Sequence, residues 1–240
     1  MKNFWSYISN GEYSAGCTGR TVFLYDKSGN ELAQFKDLNY AYNLAFSPNG
    51  DLLAVKSNEG FMAIYSPAER KLIKKFRFSK IRYGQNHNFC FTGNGKLLYS
   101  IESPTDECVN QISVYGTDGF TFKKQILDED EDLIVSALEY DSESDRIYVL
   151  GFFRRKSENT PDANYDCWEH WVAYLDDDKL EGIKRISEEE YDYYIDYIDL
   201  KNCGFTERRR KWCSNLELYG YDAESAEKEK RSLAELWKRY

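Results

Sequence analysis

The chain has 240 residues, 42% hydrophobic and 30% charged, enough for a sizeable core in one all-β domain or two smaller ones. Its formal net charge is −9, from 41 acidic against 32 basic side chains, which disfavours nucleic acid because phosphate backbones are bound through clustered Lys and Arg. No run approaches the ~18 apolar residues of a membrane span, and Met1 to Tyr13 lacks the apolar core of a signal peptide, so the expectation is a cytoplasmic protein with no membrane partner.

Twenty Tyr and 14 Phe favour pleated, half-buried strands, where aromatic rings pack well. The first unit, about 1–38, carries the turn Ser9-Asn10-Gly11 and the strand Thr21 to Tyr25. The second, 39–80, parses as four short strands: Asn43 to Ser47, Asp51 to Lys56, Phe61 to Tyr65 and Lys71 to Phe78. Its turns are Pro48-Asn49-Gly50 and Asn58-Glu59-Gly60, and an Asn-Gly pair between apolar segments predicts a hairpin whose two central residues both take positive φ. The third unit, 81–127, repeats the phrase with Gly93-Asn94-Gly95 before Leu97 and then Gln111 to Tyr115.

A fourth unit, 131–188, supplies strands at Val135 to Tyr140, Asp145 to Phe153, Trp168 to Tyr174 and Leu180 to Ile186. Its insertion, Arg154 to Cys167, is a candidate binding loop. A fifth unit is expected over 191–221, with imperfect alternation around Ile195 and Tyr197 and a last strand near Leu216 to Tyr221, although Ser187 to Glu190 also fits the start of a helical turn. Ala223 to Tyr240 reads as an amphipathic helix with Asp222 as N-cap and an apolar stripe of Ala226, Leu233, Leu236, Trp237 and Tyr240.

The third strand of every unit ends in an apolar residue and Tyr: Leu24-Tyr25, Ile64-Tyr65, Val114-Tyr115, Ala173-Tyr174 and Leu218-Tyr219. Those tyrosines are 40, 50, 59 and 45 residues apart, the period of propeller blades. The second unit resembles a WD-repeat blade, with Tyr65 where that family usually has Trp. The resemblance covers most of the chain and is close in the first three units. No unit has the family's Gly-His pair, and only Tyr25-Asp26 places an acid after the aromatic, so the family's buried His-Asp network is not expected here. The resemblance implies an all-β, five-bladed propeller of four-stranded antiparallel blades over 1–222, with a C-terminal helix over 223–240.

No chemistry is singled out. The six Cys (17, 90, 108, 167, 203 and 213) include no Cys-x-x-Cys pair and read as buried thiols in a reduced compartment. Neither His87 nor His170 lies near a nucleophile motif, and no phosphate-cradling loop occurs, so no catalytic residue, cofactor or metal is assigned. The acidic runs Asp128 to Asp132 and Asp176 to Asp178 read as solvated loops. The expected function is a non-catalytic protein–protein interaction module or scaffold. Candidate partner-binding residues are Arg154, Arg155, Lys156 and Tyr165 in the insertion, Arg208, Arg209 and Arg210 in the basic run, and Trp237 on the helix. The alternative is a small-ligand or carbohydrate-binding propeller, hydrolases included, with Tyr83, Tyr165, Trp168 and Tyr194 as stacking platforms.

Overall fold

The computed structural model describes residues 2–78, 88–102, 111–126, 133–155, 167–177, 179–229 and 231–240. Among the described residues sixteen strands form four four-stranded antiparallel sheets, each a simple meander in chain order. Sheet 1 contains β1 (Ser6–Ser9), β2 (Tyr13–Cys17), β3 (Val22–Asp26) and β4 (Glu31–Phe35). Sheet 2 contains β5 (Ala41–Phe46), β6 (Leu53–Ser57), β7 (Phe61–Ser66) and β8 (Lys71–Arg77). Sheet 3 contains β9 (Phe89–Phe91), β10 (Leu97–Glu102), β11 (Gln111–Gly116) and β12 (Thr121–Ile126). Sheet 4 contains β13 (Leu133–Asp141), β14 (Arg146–Arg155), β15 (Cys167–Asp176) and β16 (Lys179–Arg185).

The expected Asn-Gly turns each join a first strand to a second, but with different backbone geometry. Gly11, Gly50 and Gly95 have positive φ, whereas Asn10, Asn49 and Asn94 do not. The asparagines act through their side chains: Asn10 Oδ1 accepts from Tyr13 N at 2.8 Å and Asn94 Oδ1 from Lys96 N at 2.9 Å. Gly50 N and Gly95 N donate back to Ser47 O and Thr92 O, closing four-residue loops of the common hairpin type. In sheet 4 the equivalent left-handed position is Asp145, so the turn survives without the sequence signal.

The apolar-Tyr phrase marks a β-bulge. The register between third and fourth strands slips at Leu24/Tyr25, Ile64/Tyr65, Val114/Tyr115 and between Val172 and Tyr174. A bulge adds a residue to one strand and increases the local twist. It also aims the tyrosines between sheets: Phe35 of sheet 1 stacks on Tyr65 of sheet 2 at 4.1 Å, and Phe76 of sheet 2 meets Tyr115 of sheet 3 at 5.0 Å.

Successive sheets pack face to face. In sheet 2, Val55, Ala63 and Tyr65 join the core shared with sheet 1, while Ala54, Met62 and Ile64 join the core shared with sheet 3. The two-residue period of a strand therefore serves two cores at once. Sheets 3 and 4 share a third core around Ile112, Val114, Leu138, Val149 and Trp171. The first strands β1, β5, β9 and β13 touch in succession, and Asn88 locks β9 to β13 by donating to Leu138 O and accepting from Leu138 N.

The expected fifth blade does not form. Residues 191–221 are helical, and Leu218-Tyr219 lies at a helix end instead of in a third strand. The helices are α1 (Glu188–Cys203), α2 (Glu207–Trp212), α3 (Ser214–Leu218), α4 (Ala223–Lys228) and α5 (Leu233–Arg239). Ser187 caps α1 by accepting from Glu190 N, and three acids occupy the first turn, where the helix dipole favours them. Tyr193, Tyr194, Tyr197, Ile198 and Leu200 are buried together at helical spacing, which overrides the two-residue alternation read from the sequence.

The C-terminal helix is also divided. Asp222 caps α4 as expected, but Ser232 starts a second helix, α5, by accepting from Glu235 N. Ala226, Leu233 and Leu236 are fully buried in the cluster that includes Tyr148, Leu150 and Val172, so the segment covers the outer face of sheet 4.

Helix α1 runs from sheet 4 to sheet 1, touching β13, β15, β5 and β1. At its end Gly204 has φ of 75°, and a Cβ there would lie 1.9 Å from Tyr7 O. Thr206 Oγ1 then donates to Trp5 O at 3.2 Å. Gly204→Ala is expected to destabilise the protein by about 2 kcal/mol or more, through left-handed strain plus the clash, measured by urea unfolding. An unchanged midpoint would mean that α1 does not need this close approach.

Candidate functional site

A cavity of about 260 Å³ lies where α1 and α2 meet the first strands, lined by Ser136, Phe152, Tyr191, Asp196, Asp199, Asn202, Arg209 and Trp212 among others. A smaller one of about 130 Å³ sits beside it, lined by Trp5, Gly19, Tyr40, Ala41, Tyr42, Asn58, Arg209 and Trp212. Arg209 and Trp212 belong to both. Helix α2 places them, because Thr206 caps it and the three-residue step from 209 to 212 puts both side chains on one helical face.

Arg209 is only 7% exposed, which separates it from its neighbours in the basic run. Its Nη1 donates to Asp199 Oδ2 at 2.8 Å, and Nη2 donates to Cys203 Sγ at 3.2 Å and Tyr42 O at 3.4 Å. Its Nε has no acceptor, and neither does Asn202 Nδ2 in the same wall. Asn58 Oδ1 in the smaller cavity has no donor. Orphaned buried polar atoms are uncommon, since each costs about 1–3 kcal/mol.

The carboxylates are perturbed. Burial, reinforced by Asp199 and Asp192, pushes Asp196 up to about 6, against the opposing effect of the Asn215 N–H that it accepts at 3.0 Å. Burial also raises Asp199 despite the Arg209 guanidinium beside it. Cys17 is pushed up to about 11 by burial, and Cys203 and Cys213 are raised further, so these thiols stay protonated at neutral pH. They donate to backbone carbonyls at Ala41, Tyr42 and Asp196. Among the described residues no group of three His, Cys, Asp or Glu side chains is placed to hold a metal ion, and no helix is long and apolar enough to cross a membrane.

Exposed aromatic rings stand at the mouths. Trp212 is 65% exposed and packs edge-on to Trp5 at 6.0 Å. Tyr40 is 59% exposed and held at φ of 51°, a left-handed conformation that costs an aromatic residue about 1 kcal/mol or more.

The sequence candidates scatter. Arg208 lies over the Trp5 ring at 4.7 Å, close to the cavity mouth, while Arg210 pairs with Glu227 at 3.1 Å on the outer surface. Arg209 turns inward, where it braces α1 and α2 and lines both cavities. Trp237 is fixed on sheet 4, donating Nε1–H to Gly182 O at 2.7 Å beneath Lys184. Arg154 and Arg155 end β14, with side chains outside the description, and Lys156, Tyr165, Tyr83 and His87 lie outside the described residues. Trp168 is exposed, but Tyr194 is core. His170 stacks on Tyr191 at 4.2 Å, and burial lowers its pKa. Asp196, Asn202 and Trp212 were not among the sequence candidates. The signal that could have found them is the capping pair Ser187 and Glu190, which starts the helix that gathers them.

A second titratable cluster lies between sheets 2 and 3. Lys56 is fully buried, donating to Ser100 Oγ at 2.9 Å and Ile101 O at 2.5 Å, with Glu102 nearby and bonded by Tyr115 OH at 3.0 Å. Burial holds the Lys56 ammonium well below the usual lysine range, and burial raises Glu102.

No family model matches the sequence, and no curated protein matches it. Among solved structures, Kuenenia stuttgartiensis hydrazine synthase is similar, with a TM-score of 0.55 and 12% identity over 75% of this chain and 52% of that one. The chain thus spans about half the length of that protein chain, and at this identity the likeness is one of fold alone.

Two predictions follow from the charged groups. Asp199→Asn leaves Arg209 buried without its partner and is expected to cost about 3–5 kcal/mol in urea unfolding. A loss below about 1 kcal/mol would show that the pair is screened by solvent in the cavity. For Lys56, the unfolded chain binds the proton more tightly than the folded one, so this group makes stability rise with pH between roughly pH 8 and 10. Lys56→Met is expected to flatten that rise, read from urea midpoints across the range; an unchanged slope would mean Lys56 keeps its normal pKa.

Proposed function

We propose that this protein is a non-catalytic binding module: four propeller-like blades with α1 in the position of a fifth, and a ligand site at the helical end. One observation carries the reading. The cavity beside α1 combines two buried, acceptor-less donors, Arg209 Nε and Asn202 Nδ2, with a carboxylate pushed up to about 6. Convergent polar groups with perturbed pKa values in a concave site are what ligand pockets share. The volume, about 260 Å³, falls just below the ~300–1,000 Å³ of drug-sized sites, so the ligand is small and polar.

A protein partner is the second reading, favoured by the exposed rings of Trp212 and Tyr40 beside Arg208. Tryptophan, tyrosine and arginine dominate the energetics of protein interfaces. The two readings part on one comparison between wild type and Trp212→Ala. Thermal-shift screening with amines, amino acids, sugars and polyols is expected to find a stabilising ligand whose affinity Trp212→Ala weakens several-fold. A stoichiometric protein captured by wild type and lost in Trp212→Ala, with no small ligand found, would favour the interface. A folded protein that engages neither would overturn the binding-module reading.

A further inference from the structure

We infer that the cavity beside α1 takes a small primary ammonium ion carrying an oxygen acceptor, the chemistry of a protonated amino alcohol. The inference rests on the cavity being a ligand site and specifies what fills it. Charge comes first. The Asp199 carboxylate is matched by Arg209 at 2.8 Å, which leaves Asp196 as the unbalanced charge in the wall. Asp196 accepts one backbone N–H, from Asn215, and an ionised carboxylate has capacity for more. The titratable groups that act on or with Asp196 are Asp192 and Asp199 on its own helix and the Cys213 thiol after α2, and Arg209 lines the same cavity paired to Asp199. Strands β13 and β14 and the residue before β9 contribute only Ser136, Asn88 and apolar or aromatic residues to the lining.

The wall also carries Phe152, Tyr191 and Trp212, whose ring faces attract an ammonium group. The same lining includes Arg209, 8% exposed in its side chain, and Asn202, whose Nε and Nδ2 are buried donors without acceptors. A bare cation would leave them unsatisfied, and an anion would meet Asp196. A monocation with a hydroxyl or ether oxygen satisfies the carboxylate and supplies the missing acceptor together.

Ethanolamine is the probe, with glycerol and glucose as neutral controls, titrated calorimetrically into the full chain. Saturable ethanolamine binding is expected, weakened roughly tenfold or more in Asp196→Asn, a variant that keeps an acceptor for Asn215 N. Wild-type affinity is also expected to fall as pH drops from roughly 8 to 5, because Asp196 takes up a proton while the ligand's ammonium stays charged. Asn202→Leu should weaken ethanolamine more than it weakens ethylamine, which lacks the oxygen. Glycerol or glucose binding as tightly as ethanolamine, unaffected by Asp196→Asn, would overturn the ammonium assignment while leaving the cavity a ligand site. No binding by any probe to the folded wild type would overturn the assignment and count against the cavity reading as well.

Discussion

Two-faced burial is the constraint on which this molecule depends. Each interior sheet presents one side-chain row to the sheet before it and the other to the sheet after it, as Val55, Ala63 and Tyr65 against Ala54, Met62 and Ile64 illustrate. Such a succession leaves the last sheet with an uncovered apolar face. Tyr148, Leu150 and Val172 of sheet 4 would stand in water if nothing followed. At about 25 cal/mol per Å² of apolar surface, covering that face outweighs any intrinsic preference of the covering segment for helix or strand. The helices meet the requirement with Tyr194, Leu200, Leu233 and Leu236, and α1 carries the chain back to β1.

The repeat was legible because it rests on local chemistry. The Asn-Gly turns at 10, 49 and 94 mark a left-handed turn that sheet 4 makes with Asp145, and the tyrosines at 25, 65, 115 and 174 mark a register slip near the end of the third strand in all four sheets. Even there the reading was right in location and wrong in detail, since the asparagine side chain, not its φ, makes the turn. The apolar-Tyr phrase at Leu218-Tyr219 misled because two residues do not specify a bulge without a partner strand. Around Tyr191 to Leu200 both periods fit the aromatic spacing, and the sequence feature that distinguishes the helix is the Ser187 cap with Glu190. The cap marks where the helix begins, and the burial of Tyr193, Tyr194, Tyr197, Ile198 and Leu200 at helical spacing holds it.

Misreading that segment also hid the site. Read as strands, 191–221 distributes Asp196, Asn202, Arg209 and Trp212 over unrelated positions. Read as helices, α1 presents Asp196, Asp199 and Asn202 to one cavity, and the turn at Gly204 returns Arg209 to them. A run of four basic residues, Arg208 to Lys211, therefore carries different roles one position apart. Arg208 covers Trp5, Arg209 is an interior brace, Arg210 reaches Glu227 and Lys211 pairs with Glu207 one turn back. Helical rotation, and not composition, assigns those roles.

Polar burial takes a different form at the helical end than between the sheets. The sheets bury paired polar groups: Lys56 donates to Ser100 Oγ and Ile101 O, Glu102 accepts from Tyr115 OH, and Asn88 bonds both Leu138 N and Leu138 O. At the junction of α1, α2 and the first strands, orphaned atoms on Asn58, Asn202 and Arg209 coincide with raised carboxylates and a left-handed Tyr40. Each of these features opposes folding, and together they amount to several kcal/mol against a typical total stability of about 5–15 kcal/mol. Polar groups that only held the fold together would be replaceable by apolar residues of similar size at little cost. What sets the helical end apart is that two orphaned donors, Asn202 Nδ2 and Arg209 Nε, belong to residues lining one cavity, whereas the orphaned Tyr65 OH and Trp171 Nε1 are held within the cores between sheets.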